Sequence, residues 1–354
     1  EINIPIKEML QRHNHTHFFK CLFFFTRITY LIITRIYFLG NIKKIWYNTC
    51  IRKGDVSFLK IIVITGPTGV GKTLLSIKLA DKLNAEIINA DAMQVYKGLD
   101  IGTAKISPKE MNDIPHHLFD ICDVTDNYSV YNYQKDARNK IEEIFAREKN
   151  VIMVGGTGLY IKASLFDYTF SNENKDKDYS NLSDSELVSK LLRLDPNIKI
   201  DLNNRRRVVR ALNYYENNNE SISLNNRGDN LLYDATFIGL TLERDKLYEL
   251  IDKRVSKMIN DGLVLEAKKY YDNKIYSHAL MTGIGYKELY KYFDGEISKE
   301  DAISLIMKNS RHYAKRQYTF FRNKLPIKWF NVDLNNFDNT VNEVYEYIKE
   351  ASSI

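Results

Sequence analysis

At 354 residues the chain is long enough to bury one substantial core, as one large domain or two modest ones. Its 44% apolar and 27% charged residues are ordinary for a soluble globular protein, and Cys21, Cys50 and Cys122 form neither a C-x-x-C pair nor an even set. No disulfide framework or zinc site is indicated, and a reducing compartment fits best. The net charge of +6 resides in the first 59 residues, with nine Lys/Arg against three acids; the remainder holds 42 of each sign. Any affinity for nucleic acid must then come from local patches rather than bulk charge.

Residues 1–59 are the least domain-like part. No Asp or Glu occurs between Met9 and Gly54, and residues 18–40 are rich in Phe, Ile, Leu and Tyr. As a membrane span the stretch is interrupted by Lys20, Arg27 and Arg35, and a central Arg costs about 2.5–3.5 kcal/mol on insertion scales. No stable membrane partner is expected. The stretch is acid-poor and basic like a transit peptide, yet it has no Ser before Ser57. We read it as an extension outside the folded core. A cytoplasmic location follows, or an organellar one if the segment is a targeting sequence. His13, His15 and His17 fall inside it and carry little weight as a metal cluster.

The core reads as alternating strands and helices. Residues 60–65 are an apolar strand, followed by Gly66-Pro67-Thr68-Gly69-Val70-Gly71-Lys72-Thr73 and a helix to about Asn84. That octet is a complete G-x-x-x-x-G-K-[ST] phosphate loop in the strand-to-helix setting that its chemistry needs. Its backbone N–H groups and the helix N-terminus cradle phosphate, Lys72 reaches outer phosphate oxygens, and the Thr73 hydroxyl suits Mg²⁺. Residues 86–91 form a second strand ending on Asp91, where a carboxylate can act as general base or metal ligand; Gln94 offers an amide suited to a base edge. Residues 131–148 are helical and 151–154 a third strand, ending in the Gly-rich turn Gly155-Gly156-Thr157-Gly158-Leu159-Tyr160. The alternation predicts an α/β fold, a parallel sheet wound with helices, with ligands outside the strand C-termini.

Two Asn-rich stretches, 171–184 and 217–230, bracket helical segments at 186–194 and 205–215 before a strand at 236–242 resumes the core. A helical insertion between core strands explains this order. Helices are predicted at 245–259, 262–271, 286–293 and 299–322. The last carries Lys308, Arg311, Lys315, Arg316 and Arg322 among aromatics, and 308–328 contains no acid. Such a run suits phosphates and stacked bases, and the missing acids argue against an ordinary solvated face.

Five strings occur in order: Gly66–Thr73; Asn89-Ala90-Asp91-Ala92-Met93-Gln94-Val95-Tyr96 running on to Lys105; Ile114-Pro115-His116-His117-Leu118; Gly155–Tyr160; and Lys315-Arg316-Gln317-Tyr318-Thr319-Phe320-Phe321-Arg322. Over roughly residues 60–330 they resemble the bacterial-type tRNA dimethylallyltransferase family. The resemblance implies a P-loop NTPase-like core at 60–166 and 235–330, and an insertion at 167–234 contacting the tRNA anticodon arm. It leaves residues 331–354 as a C-terminal tail. It further implies transfer of a dimethylallyl group from dimethylallyl diphosphate to the exocyclic amine of adenosine 37, with Mg²⁺ as cofactor and a flipped base. The phosphate loop then holds a leaving diphosphate rather than a nucleotide. On this reading Lys72, Thr73, Asp91 and Arg254 are catalytic. The tRNA contacts are Asp91, Ala92, Met93, Gln94, Thr157, Arg206, Arg207, Arg210, Gly283, Ile284, Gly285, Tyr286, Lys287, Lys315, Arg316, Gln317 and Arg322. The chain departs from the family pattern at Leu250, where many relatives carry Arg; if that Arg assists the diphosphate, Arg254 or Arg244 must compensate, or turnover is reduced. A monomer is expected, without a zinc-finger extension, since no Cys follows Cys122.

Three rivals remain: an adenylate-type dimethylallyltransferase using a free nucleotide, a P-loop kinase or NTPase of another class, and an RNA-binding module with a degenerate site. The insertion and basic helix argue against the first. Intact Lys72, Thr73 and Asp91 argue against the last.

Overall fold

The six strands of the sheet run parallel throughout, in the order β3-β2-β4-β1-β5-β6. The computed structural model describes residues 59–170, 177–223 and 228–352. The reading of residues 1–58, and parts of both Asn-rich stretches, lie outside the described residues. The strands are β1 (Ile61–Thr65), β2 (Ala85–Asn89), β3 (His116–His117), β4 (Asn150–Val154), β5 (Ala235–Thr241) and β6 (Lys328–Asn331). The expected α/β architecture is thus observed. No helix among the described residues is long and apolar enough to cross a membrane.

β1 is central, and all five of its residues are buried. Its side chains alternate between two cores. Ile61 and Val63 join one cluster, Ile62 and Ile64 the other. Each such buried aliphatic contributes about 1.5–3 kcal/mol, so a charge in β1 would disrupt the core that its side chain faces, and a Pro would remove a hydrogen bond from the sheet between the two. The first core is closed by α2 (Val130–Phe145), α3 (Gly158–Leu165), α7 (Leu263–Asp272), α9 (Tyr286–Phe293) and α10 (Lys299–Lys324). The second is closed by α1 (Lys72–Lys82) and α11 (Phe337–Ser352). α4 (Asp184–Leu194) and α5 (Arg205–Asn218) bury a small core of their own around Leu187, Leu191, Val208 and Leu212. Ser183 and Asn204 cap these two helices, each accepting an N–H from the first turn. α6 (Arg244–Asp261) turns into α7 at Gly262, whose φ of 109° lies in the left-handed region, and α8 (His278–Thr282) precedes α9.

Three elements were not expected. β3 has only two residues, both His, and is fixed by pairing to Ile87 and Ile88 rather than by propensity. α8 is a single short turn started by the Ser277 cap. Residues 331–352 are not a tail. β6 extends the sheet to Asn331, and α11 buries Val341, Val344 and Ile348 against the second core. The spacing of these three follows one helical face.

At the strand N-termini, away from the strand ends that carry Asp91, Glu86 is 3% exposed and bonded by Arg147, His117 and Lys149. Burial alone would raise its pKa, but the hydrogen bonds from Arg147, His117 and Lys149 dominate and hold it at about 2. A carboxyl depressed in the folded state stabilises the fold fully above its unfolded pKa and loses that contribution as pH falls through the folded one. Glu86→Gln should therefore cost about 1–3 kcal/mol near neutral pH. In urea titrations the deficit should shrink as pH falls from 4.5 towards 2. A deficit independent of pH would contradict this.

Candidate active site

The phosphate loop joins β1 to α1. Gly71, with φ 97°, stands at the start of α1, where no side chain caps the helix, so its first N–H groups face the cleft. A methyl at Gly71 would lie 2.9 Å from the Phe337 ring, so α11 braces the loop from behind. Pro67 and Val70 are buried and serve the loop's packing, whereas Thr68, Gly69, Gly71, Lys72 and Thr73 line the cleft. The Lys72 ammonium donates to the carbonyls of Gly66 (3.0 Å) and Pro67 (2.8 Å). Although the residue keeps some surface toward the cleft, burial of the ammonium, reinforced by Arg254 and opposed by Asp91, lowers its pKa to about 7. Thr73 is exposed at the mouth.

Asp91 follows β2 by two residues. Asn89 shapes the turn: its Oδ1 accepts the Asp91 N–H (2.9 Å), and its amide donates to the Asp91 and Leu118 carbonyls. Asp91 Oδ1 accepts the Met93 N–H at 2.9 Å. Thr157 Oγ1 accepts the Ala92 N–H at 2.9 Å, tying the second Gly-rich turn to this loop. Arg254 donates to the Thr103 carbonyl (3.3 Å), and burial lowers its pKa while Asp91 counteracts that.

Two cavities meet at Thr68, Asp91 and Arg254. One, of about 790 Å³, runs along the phosphate loop past Lys72, Thr73, Gln94 and Leu250. The other, of about 230 Å³, is lined by Met93, Gly283, Ile284, Lys287, Tyr313 and Arg316. Lys72, Thr73, Asp91 and Arg254 are thus brought together as the sequence suggested. Arg254 borders both cavities, and Leu250 lies beside it in the larger one. Arg244 is exposed over the Tyr248 ring and lines neither cavity, so of these two arginines Arg254 is the one that borders the cleft.

Other assignments are redistributed. Gln94 lines the larger cavity, but its amide donates to the Thr103 carbonyl at 3.0 Å. Gly283, Gly285 and Tyr286 are buried, leaving Ile284 and Lys287 as the partly exposed side chains of that string. Tyr286 is 0% exposed and donates to Glu266 at 2.6 Å, so its hydroxyl is engaged in the core, although the residue borders the smaller cavity. Gln317 is buried on the inner face of α10. Arg311 is not an unpaired cation: it binds both carboxylate oxygens of Asp252, on α6, at 2.6 and 2.7 Å. Its acid comes from another helix, so the acid-free local sequence misled. Lys315, Arg316 and Arg322 are exposed on α10, with Arg322 over the Tyr318 and Trp329 rings. Arg206, Arg207 and Arg210 are exposed on α5, and Arg207 lies 3.9 Å from Asp201.

Two residues went unnoticed in the sequence. Tyr313 lies against Thr157 and Gln317, and burial followed by the Asp91 charge raises its pKa. It stands four residues before Gln317 on the inner face of α10, a spacing that would have paired them. Glu266 accepts the N–H groups of Asp100, Ile101 and Gly102 at 2.8–3.0 Å, fixing the loop that carries Thr103. Nothing local marks that role.

A phosphate loop, a carboxylate across from it and a second cavity opening on the same carboxylate define a P-loop group-transfer enzyme. The IPP transferase family model matches residues 94–324. A tRNA dimethylallyltransferase of Anoxybacillus flavithermus is 46% identical over 299 residues, covering 82% of this chain and 96% of that protein. One of Bacillus subtilis is 48% identical, covering 77% and 90% respectively. Among solved structures, the tRNA isopentenylpyrophosphate transferase of Bacillus halodurans is 42% identical with a TM-score of 0.65, covering 83% of this chain and 97% of that one. A eukaryotic dimethylallyltransferase acting on tRNA is 30% identical with a TM-score of 0.72, covering 82% and 80%. The chain belongs to the IPP transferase family.

Proposed function

We propose that this chain transfers a dimethylallyl group from dimethylallyl diphosphate to the N6 amine of adenosine 37 in the tRNA anticodon arm. The observation that carries the reading is the meeting of two cavities at Asp91, Thr68 and Arg254. The larger, with the phosphate loop, suits the donor. The smaller, near the exposed cations of α10, suits a base turned out of its stack.

The reaction forms an N6–C1 bond as the donor C1–O bond breaks, and the electron pair leaves with the diphosphate. Asp91 accepts the proton lost from N6; its Oδ1 is held by the Met93 N–H, so the carboxylate is oriented before the base arrives. The N–H groups at the start of α1, with Lys72 and Arg254, stabilise charge building on the diphosphate. A magnesium ion fits the donor set: the exposed Thr73 hydroxyl is a hard oxygen and lines the same cavity as Lys72 and the phosphate loop. When bound it would neutralise diphosphate charge, with Thr73 holding it and the remaining ligands coming from phosphate and water.

For tRNA we assign Lys315, Arg316 and Arg322 on α10, Arg206, Arg207 and Arg210 on the insertion (167–234), and Ile284 and Lys287 at the rim. Lys315→Ala should weaken tRNA binding and reduce the slope of log K against log salt by about 0.7–0.9, leaving the single-turnover rate at saturating tRNA unchanged. Filter-binding titrations at several salt concentrations check this. The proposal itself is tested by incubating labelled dimethylallyl diphosphate and Mg²⁺ with unmodified tRNA or with AMP. Label in tRNA alone is expected. Label in AMP alone would replace this reading with that of a free-nucleotide enzyme.

A further inference from the structure

α10 presents two faces with different tasks. Lys308, Lys315 and Arg322 lie exposed on the outer one. On the inner one Gln317 is 4% exposed, and both ends of its amide are satisfied by backbone. Its Oε1 accepts the Thr68 N–H at 3.0 Å, and its Nε2 donates to the Gly156 carbonyl at 3.0 Å. Reversing the amide would oppose N–H to N–H and oxygen to oxygen, so only this orientation fits. Gly156 is shaped to it: a methyl there would lie 2.2 Å from Nε2 and 3.6 Å from Asp91 Oδ2. Tyr313, one turn earlier, packs against both Gln317 and Thr157. One side chain therefore spans from the phosphate loop to the turn that holds the Asp91 loop through Thr157 and Ala92.

We infer that Gln317 is a positioning residue for the transfer and not an RNA contact: it fixes the Thr68 corner of the phosphate loop relative to Asp91. The inference rests on the prenyl-transfer reading above. Thr68 borders both cavities, so its placement sets the distance between leaving group and base. A misplacement of about 1 Å at such a point costs on the order of 10²-fold in rate. The same helix carries the proposed RNA-binding cations on its outside, so tRNA and diphosphate are located by one rigid element.

Two substitutions test this. Gln317→Met keeps the length and removes both hydrogen bonds. Gln317→Glu keeps the acceptor for Thr68, but only its protonated form can donate to Gly156. In Gln317→Met, the single-turnover rate should fall about 10- to 100-fold and pyrophosphate with Mg²⁺ should bind more weakly by calorimetry, while tRNA affinity and its salt slope stay at the wild-type values. The rate of Gln317→Glu, taken relative to wild type, should rise as pH is lowered from about 8 to about 5.5, because burial and the nearby Asp91 charge raise the pKa of a carboxyl placed there and it gains its proton over that range. That ratio compares two chains differing by one near-isosteric side chain, follows pH rather than an absolute rate, and decides the matter even if Gln317→Met folds poorly. Weaker tRNA binding with an unchanged rate would make Gln317 an RNA contact and overturn the inference. A Glu-to-wild-type ratio independent of pH would reduce it to packing and overturn it equally. If wild type and Gln317→Met bind pyrophosphate alike, the inference alone fails; if wild type binds none, the prenyl-transfer reading fails with it.

Discussion

Asp91→Ala should lower the single-turnover rate of prenyl transfer by about 10²–10⁴-fold, with tRNA affinity close to wild type. The carboxylate has no substitute nearby. Among the described residues no other carboxylate lines both cavities, Arg254 beside it is a cation, Lys72 faces the larger cavity alone, and Tyr313 is a phenol with a raised pKa. The turn itself should survive, because it is held by Asn89 and Thr157 as well as by the Asp91–Met93 bond. Quench-flow measurement with saturating tRNA and donor isolates the step. A near-normal rate would remove Asp91 from its role as base.

Lys72→Met should be the second large effect, and it should move activity and stability in opposite directions. The ammonium is buried beside Arg254, and its pKa of about 7 marks charge held there at a cost to the fold. Its depressed folded pKa means that the unfolded chain binds the proton more tightly around neutral pH, so removing the group should raise the melting temperature. Transfer should nonetheless fall about 10²–10³-fold, since charge building on the diphosphate loses the cation of the phosphate loop. The same titration predicts a pH effect in the wild type. Donor binding takes up a proton when Lys72 is neutral, so the donor affinity should be level below pH 7 and weaken above it, by at most about tenfold per pH unit. Calorimetry in buffers of different ionisation enthalpy measures that uptake; no proton uptake at pH 8 would contradict it.

The parts that the sequence revealed are those whose chemistry is local. The phosphate loop needs only eight consecutive residues between a strand and a helix, and Asp91 needs only the end of a strand. The insertion helices were legible as two helical segments between Asn-rich stretches, although their Ser183 and Asn204 caps went unnoticed. What stayed hidden depends on partners far along the chain. Gln317 and Tyr286 sit inside strings that resemble RNA-binding segments, yet burial against Thr68, Gly156 and Glu266 gives them other work. Arg311 looked free because its Asp252 partner lies on α6. The brace that Phe337 gives the phosphate loop was missed because the resemblance ended near residue 330, although the spacing of Val341, Val344 and Ile348 was in plain view.

Mass spectrometry of nucleosides from unmodified tRNA, after incubation with dimethylallyl diphosphate and Mg²⁺, tests the central claim most directly. The wild-type chain should yield N6-(dimethylallyl)adenosine at position 37, and Asp91→Ala should yield almost none in the same time. Unmodified adenosine at that position after prolonged incubation with the wild-type protein, in tRNA that a related enzyme modifies in the same buffer, would contradict it.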